Sequence, residues 1–237
     1  MANRSRSAAA SDAELVIFDW DGTLVDSQGV IVATMQATLA EAGFRTLPAH
    51  HCRQVIGLGL DEAIRALVPH AEAADRVRLR EIYGRRFQHF GAGDMPLFPG
   101  VATGLAELLA RGRRLAVATG KSRRGLDRML GEGCLQNVFH ATRCADETAS
   151  KPDPRMLAEL LAQFELPPER AVLVGDTAFD MEMAQRLGMP RIAVTYGVHD
   201  GERLAPWEPT AWADDFAGVL SHLGLPALDR EPTEGYN

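Results

Sequence analysis

The sequence predicts an α/β protein: a doubly wound parallel sheet whose first strand is followed at once by an all-helical insert. Three observations carry that prediction. Leu15-Val16-Ile17-Phe18 is a continuous apolar run, the pattern of a strand buried on both faces, and it ends at Asp19-Trp20-Asp21-Gly22-Thr23. Between Asp26 and Gly93 no strand pattern occurs. From Val101 onward helical and strand patterns alternate, which points to parallel strands joined by right-handed crossovers.

In chain order, Val30 to Phe44 carries apolar residues at helical spacing and stops at Gly43. Leu60 to Val68 and the arginine-rich stretch from Ala71 to Phe90 read as further helices. Pro96 and Pro99-Gly100 mark the return to the sheet. Helices are then expected over Val101 to Ala110, Arg123 to Leu130, Pro154 to Phe164, Met181 to Leu187 and Asp215 to Leu223. Strands are expected at Leu115–Ala118, Ala171–Val174 and Arg191–Val194, with a weak one from Asn137 to Thr142. The expected division is a core over 13–26 and 94–228, a helical cap over 27–93, and disordered tails over 1–12 and 229–237.

The chain has 237 residues, enough for one substantial core with a smaller insert. A net charge of −7 argues against binding nucleic acid by phosphate neutralisation. No run approaches the ~18 apolar residues of a membrane span, and the opening residues lack a signal-peptide core. Cys52, Cys134 and Cys144 are scattered without CxxC spacing, so buried thiols in a reducing cytoplasm are expected rather than zinc or disulfides.

The chemistry gathers where strands end. In open parallel sheets, ligands bind beyond the carboxyl ends of the strands. Asp19 and Asp21 are two apart in extended chain, so both can face one site. Such a pair can hold a divalent cation, share a proton, or cap the following turn. Thr119-Gly120-Lys121-Ser122 opens a helix, either as an anion site or as a plain cap. Lys151 precedes a double-proline helix start, and Gly175-Asp176-Thr177-Ala178-Phe179-Asp180 adds two carboxylates that are either turn and cap or part of a magnesium site. Taken together, four carboxylates, a hydroxyl and a lysine at one sheet edge suit phosphoryl transfer, with a dication and an ammonium balancing the anions.

Asp19-Trp20-Asp21-Gly22-Thr23, Thr119-Gly120, Lys151-Pro152 and Gly175-Asp176-Thr177-Ala178-Phe179-Asp180 resemble, in order, the four motifs of the haloacid-dehalogenase-like hydrolases. The resemblance runs from Leu15 to about Leu223 and implies a Rossmann-like core. The long interval from Asp19 to Thr119, with Asp26-Ser27, is similar to the phosphoglycolate-phosphatase-like branch with its helical cap. It implies that Asp19 is the nucleophile forming an aspartyl-phosphate and that Asp21 protonates the leaving oxygen, then activates water. Thr119 and the Gly120 N–H would bind phosphoryl oxygens, and Lys151 would offset charge. Mg2+ would rest on Asp19, the carbonyl of Asp21 and Asp176, with Asp180 orienting that shell or pairing with Lys151.

The implied function is a magnesium-dependent phosphatase acting on a small phosphorylated metabolite, phosphoglycolate first among candidates. A sugar-phosphate mutase using the same intermediate is the alternative, and a non-catalytic phospho-acceptor signalling module a further one. A cytoplasmic monomer or homodimer is expected. Trp20 reads as packing. Lys121, Arg123 and Arg124 read as a surface helix face, the alternative being attraction of an anionic substrate. His199-Asp200-Gly201 reads as a loop turn after the last strand.

Overall fold

The computed structural model describes residues 10–226. Six strands form one parallel sheet in the order β3-β2-β1-β4-β5-β6, with β1 at Leu15–Phe18, β2 at Arg114–Thr119, β3 at Ala141–Cys144, β4 at Ala171–Gly175, β5 at Arg191–Val194 and β6 at Ala211–Ala213. Phe18 pairs with Val117 of β2 on one side and Val174 of β4 on the other, so three carboxyl ends lie in register.

Side chains alternate across each strand, and the two faces bury different helices. Val16 and Phe18 pack with Val117 and Val174 against Val101, Leu105 and Leu108 of α5 (Val101–Ala110) and Phe216, Val219 and Leu220 of α10 (Phe216–His222). Leu15 and Ile17 face Leu157 and Leu160 of α7 (Arg155–Phe164) and Met183 of α8 (Ala178–Arg186). The remaining core helices are α6 (Arg123–Glu132) and the short α9 (Gly201–Leu204).

The insert holds four helices: α1 (Gln28–Glu41), α2 (Ala49–Arg53), α3 (Leu60–Leu67) and α4 (Ala73–Phe87). They have an apolar cluster of their own, including Met35, Leu39, Cys52, Ile56, Ile64, Leu79 and Ile82. Arginines of α4 pair with carboxylates elsewhere in the insert, Arg86 Nε donating to Glu41 at 2.7 Å and Arg80 to Asp61 at 2.9 Å. The two connections to the core run antiparallel: Val25 bridges Leu97, the Asp26 N–H donates to the Pro96 carbonyl at 2.8 Å, and the Phe98 N–H to that of Leu24 at 3.0 Å.

Several expectations shift. Ala10 is buried against the core and Arg113 donates to the Ser11 carbonyl at 2.6 Å, so residues 10–12 belong with the core rather than the tail; the rest of the expected tails lies outside the described residues. The weak strand falls at Ala141–Cys144 instead of Asn137–Thr142, because its half-buried side chains give little apolar contrast. Helix α8 starts at Ala178, not Met181, because Thr177 and Asp180 form a capping box. Strand β6 and helices α2 and α9 are too short for their periodicity to register in the sequence. Because β6 pairs with β5, the His199 loop does not follow the last strand. Cys52 and Cys144 are buried thiols, whereas Cys134, at the end of α6, is exposed. No helix among the described residues is long and apolar enough to cross a membrane.

Candidate active site

The ends of β1, β2 and β4 bring Asp19, Thr119 and Asp176 to one edge of the sheet. The Asp19 N–H continues the strand ladder by donating to the Val174 carbonyl at 2.9 Å. Gly22 follows with φ +83°, a conformation that L side chains rarely adopt, and a Cβ there would also collide with Asp176. The glycine behind the two aspartates is therefore a packing necessity.

Lys151 joins this edge from the loop between β3 and α7. Its buried ammonium lies 2.7 Å from Asp19 Oδ1 and 2.6 Å from Asp180 Oδ1. Asp19 Oδ1 also accepts the Trp20 N–H at 2.6 Å, whereas Asp19 Oδ2 is buried without a hydrogen-bond partner. Asp180 Oδ2 accepts both the N–H and the hydroxyl of Thr177, at 3.1 and 2.6 Å. Asp176 accepts the Thr23 hydroxyl at 2.8 Å and the Val198 N–H at 2.8 Å. Every member of the group is thus held by main chain, hydroxyl or ammonium; one carboxylate oxygen, on Asp19, is left free.

The electrostatics follow from burial. Desolvation raises the Asp19 carboxyl well above its ordinary value; Lys151 opposes this, and Asp180 and Asp176 add to it. Desolvation, with repulsion from Asp180, pushes Asp176 up to about 7. Burial alone would lower Lys151, but Asp180 and Asp19 outweigh it and hold the ammonium above its usual range. One lysine cannot balance three carboxylates.

Oxygen atoms of Asp19, Asp176 and Asp180 all lie within 4.8 Å of one another. An all-oxygen donor set suits Mg2+, which prefers carboxylates and water. The orphaned Asp19 Oδ2 and the surplus negative charge fit such an ion.

Asp21 stands apart from that cluster. Its Oδ1 accepts the Ser27 hydroxyl at 2.6 Å and pairs with the Lys121 ammonium at 2.9 Å. Lys121 is therefore no surface residue: its side chain is 8% exposed, and its ammonium lies 4.8 Å from the centroid of the Phe87 ring on α4. Ser27 starts α1, so Asp21 is gripped from both core and cap. The Thr119 hydroxyl accepts the Lys121 N–H at 3.2 Å, and its own proton remains available to an anion. Capping of α6 falls to Ser122, which accepts the Gly125 N–H at 3.2 Å.

The cap closes onto this edge through its glycine turn. A Cβ on Gly120 would come within 2.5 Å of the Leu58 carbonyl and 2.6 Å of that of Gly57. The Gly59 N–H donates to Ser150 Oγ at 2.8 Å. Across the site, Arg128 of α6 donates to the carbonyls of Gln88 and Phe87 at 2.7 and 3.3 Å. Between these contacts lies a cavity of about 1040 Å3 reaching from Asp19 and Asp21 to Tyr83 and Phe87.

Of the seven site residues expected from the sequence, Asp19, Asp21, Thr119, Lys151, Asp176 and Asp180 are buried at this edge, with Gly120 beside them. The sequence reading missed Lys121, Thr23, Ser27 and Ser150 as partners of the site. The only signal for them was adjacency to the motifs. Trp20 packs into the core edge-on to Phe139, as expected. His199, taken as part of a loop turn, is buried; its Nδ1 accepts the Ala178 N–H at 2.9 Å at the start of α8.

The haloacid dehalogenase-like hydrolase family profile matches residues 16–194. Among curated proteins, the chain is 36% identical over 213 residues to "Probable phosphatase IndB" of Dickeya dadantii, covering 87% of this chain and 91% of that one. It is 34% identical over 217 residues to a plasmid-borne phosphoglycolate phosphatase of Cupriavidus necator, covering 90% and 91%. A solved structure titled as a predicted phosphoglycolate phosphatase from Haemophilus somnus 129PT superposes with a TM-score of 0.81 at 24% identity, covering 89% of this chain and 97% of that one. With its parallel core and its ordered set of four motif residues, the chain belongs to the haloacid dehalogenase-like hydrolases.

Proposed function

We propose that the chain is a magnesium-dependent phosphatase that hydrolyses a phosphomonoester of a small metabolite through an aspartyl-phosphate on Asp19. The observation that carries this reading is Asp19 itself: one oxygen fixed by Lys151 and the Trp20 N–H, the other buried and unpartnered at the mouth of the cavity.

In the first step a carboxylate oxygen of Asp19 attacks phosphorus, and the bond to the ester oxygen breaks. Asp21 gives its proton to that leaving oxygen. In the second step Asp21 takes a proton from water, the water oxygen attacks phosphorus, and the bond to Asp19 breaks, freeing inorganic phosphate. Thr119 and the Gly120 N–H receive phosphoryl oxygens, and Lys151 offsets charge on Asp19 as the phosphoryl group arrives. Asp19, Asp176 and the Asp21 carbonyl would hold Mg2+, which would supply positive charge against the phosphoryl oxygens. Asp180 keeps Lys151 in place. The cap, residues 27–93, shields the edge from water, and the core comprises 10–26 and 94–226.

Phosphoglycolate is the first substrate to test, because relatives carry that name. The experiment is phosphate release from a panel of phosphomonoesters with and without magnesium. Release that requires the metal supports the reading. Isomerised product without free phosphate would replace it with a mutase.

A further inference from the structure

The cavity itself limits what the leaving group can be. Its volume of about 1040 Å3 lies at the upper end of the roughly 300–1,000 Å3 range of pockets that enclose drug-sized ligands. This space remains with the cap already down on the core, since the 57–59 turn touches Gly120 and Ser150 on one side and α6 holds the end of α4 on the other. Much of its wall is apolar, with Met35 from α1, Leu58 and Leu60 at the glycine turn, and the stacked rings of Tyr83 and Phe87, 5.5 Å apart on α4. Arg80, Arg85, Arg124 and Arg128 also line it. Lys121, which also lines the cavity, is paired with Asp21. A short glycolate chain would reach little of this apolar wall, whereas a longer apolar alcohol would cover it.

We propose that the substrate is a phosphomonoester whose alcohol carries an apolar body well beyond glycolate in size, seated between α1, α4 and the 55–60 turn, with phosphoglycolate at the small end of the accepted range. This rests on the phosphatase reading above. It adds the leaving-group class and its determinants, Tyr83, Phe87 and Leu60.

The test is kcat/KM for the n-alkyl phosphates from ethyl to hexyl beside phosphoglycolate, with acetyl phosphate as a control that needs neither the apolar wall nor leaving-group protonation. The expected result is a rise approaching fourfold per added methylene, with hexyl phosphate at least tenfold better than phosphoglycolate. Leu60→Asn is expected to flatten that rise while acetyl phosphate is still turned over. A flat or falling series, or phosphoglycolate as the best substrate, overturns the proposal, as does a Leu60→Asn chain that turns over acetyl phosphate with the native slope. Should Leu60→Asn fail to fold, acetyl phosphate turnover is lost as well and the native series decides. Absence of acetyl phosphate turnover in the native chain would instead strike the phosphatase reading.

Discussion

Lys151 reaches Asp19 from a different strand connection and holds it at 2.7 Å, with both side chains at most 1% exposed. The same ammonium holds Asp180 at 2.6 Å, so one buried cation sets the position of two carboxylates. Removing one partner of a buried pair strands the other, at a cost of about 3–5 kcal/mol. Lys151→Met is expected to lose stability of that order in urea denaturation of the metal-free chain, less at pH 5 than at pH 8, because the Asp19 carboxyl, raised by burial, can protonate. An unchanged midpoint at both pH values would show that Lys151 does not hold the pair.

On the proposed reading Asp21 acts in both steps, and the steps can be separated. Acetyl phosphate has a leaving group that needs no proton, whereas hydrolysis of the phosphoaspartate still needs a base. Asp21→Asn should reduce phosphate release by about 10²–10⁴-fold. It should also accumulate one phosphoryl group per chain after mixing with acetyl phosphate, visible by intact mass. Fast release with no accumulation would assign the base elsewhere.

At the proposed magnesium site, the raised aspartates make metal binding depend on pH. Asp176 is raised to about 7, by burial first and Asp180 next, and Asp19 is raised as well, by burial. A carboxyl raised in the folded state contributes stability that is complete below its unfolded value, near 4, and is lost as pH rises through its folded value. The metal-free chain should therefore weaken from about pH 4 to pH 8 through these groups. Added magnesium should raise Tm more at pH 8, where the ligands are ionised, than at pH 5. A magnesium shift equal at both pH values would contradict this ligand set.

Gly120 carries the seat of the cap. A methyl group there meets two backbone carbonyls of the 57–59 turn, neither of which can rotate away. Gly120→Ala is expected to cost about 1–3 kcal/mol in stability and to lower kcat/KM by up to about 10²-fold, because the cap is displaced from the leaving group. Native stability and turnover together would mean that the turn does not press on the core during catalysis.

The parts of the molecule that were legible in the sequence share a physical cause. Leu15–Phe18 and Ala171–Val174 are uninterrupted apolar runs that end in carboxylates, so both the strand and its functional end could be read directly. What escaped depends on contacts far along the chain. Lys121 becomes a buried partner of Asp21 only because Phe87 covers it, and nothing around residue 121 announces that. Thr23 and Ser27 read as turn residues until the fold sets them against Asp176 and Asp21. Strand β6, three residues long with Trp212 facing outward, has too little pattern to distinguish it from a loop.

The central claim is that Asp19 carries the phosphoryl group, and phosphate release from acetyl phosphate and hexyl phosphate tests it most directly when the native chain is compared with Asp19→Asn, with and without magnesium. Magnesium-dependent release from both substrates is expected for the native chain, and none above background for Asp19→Asn, whose circular dichroism stays native. Release by a folded Asp19→Asn chain at a rate near native would contradict it.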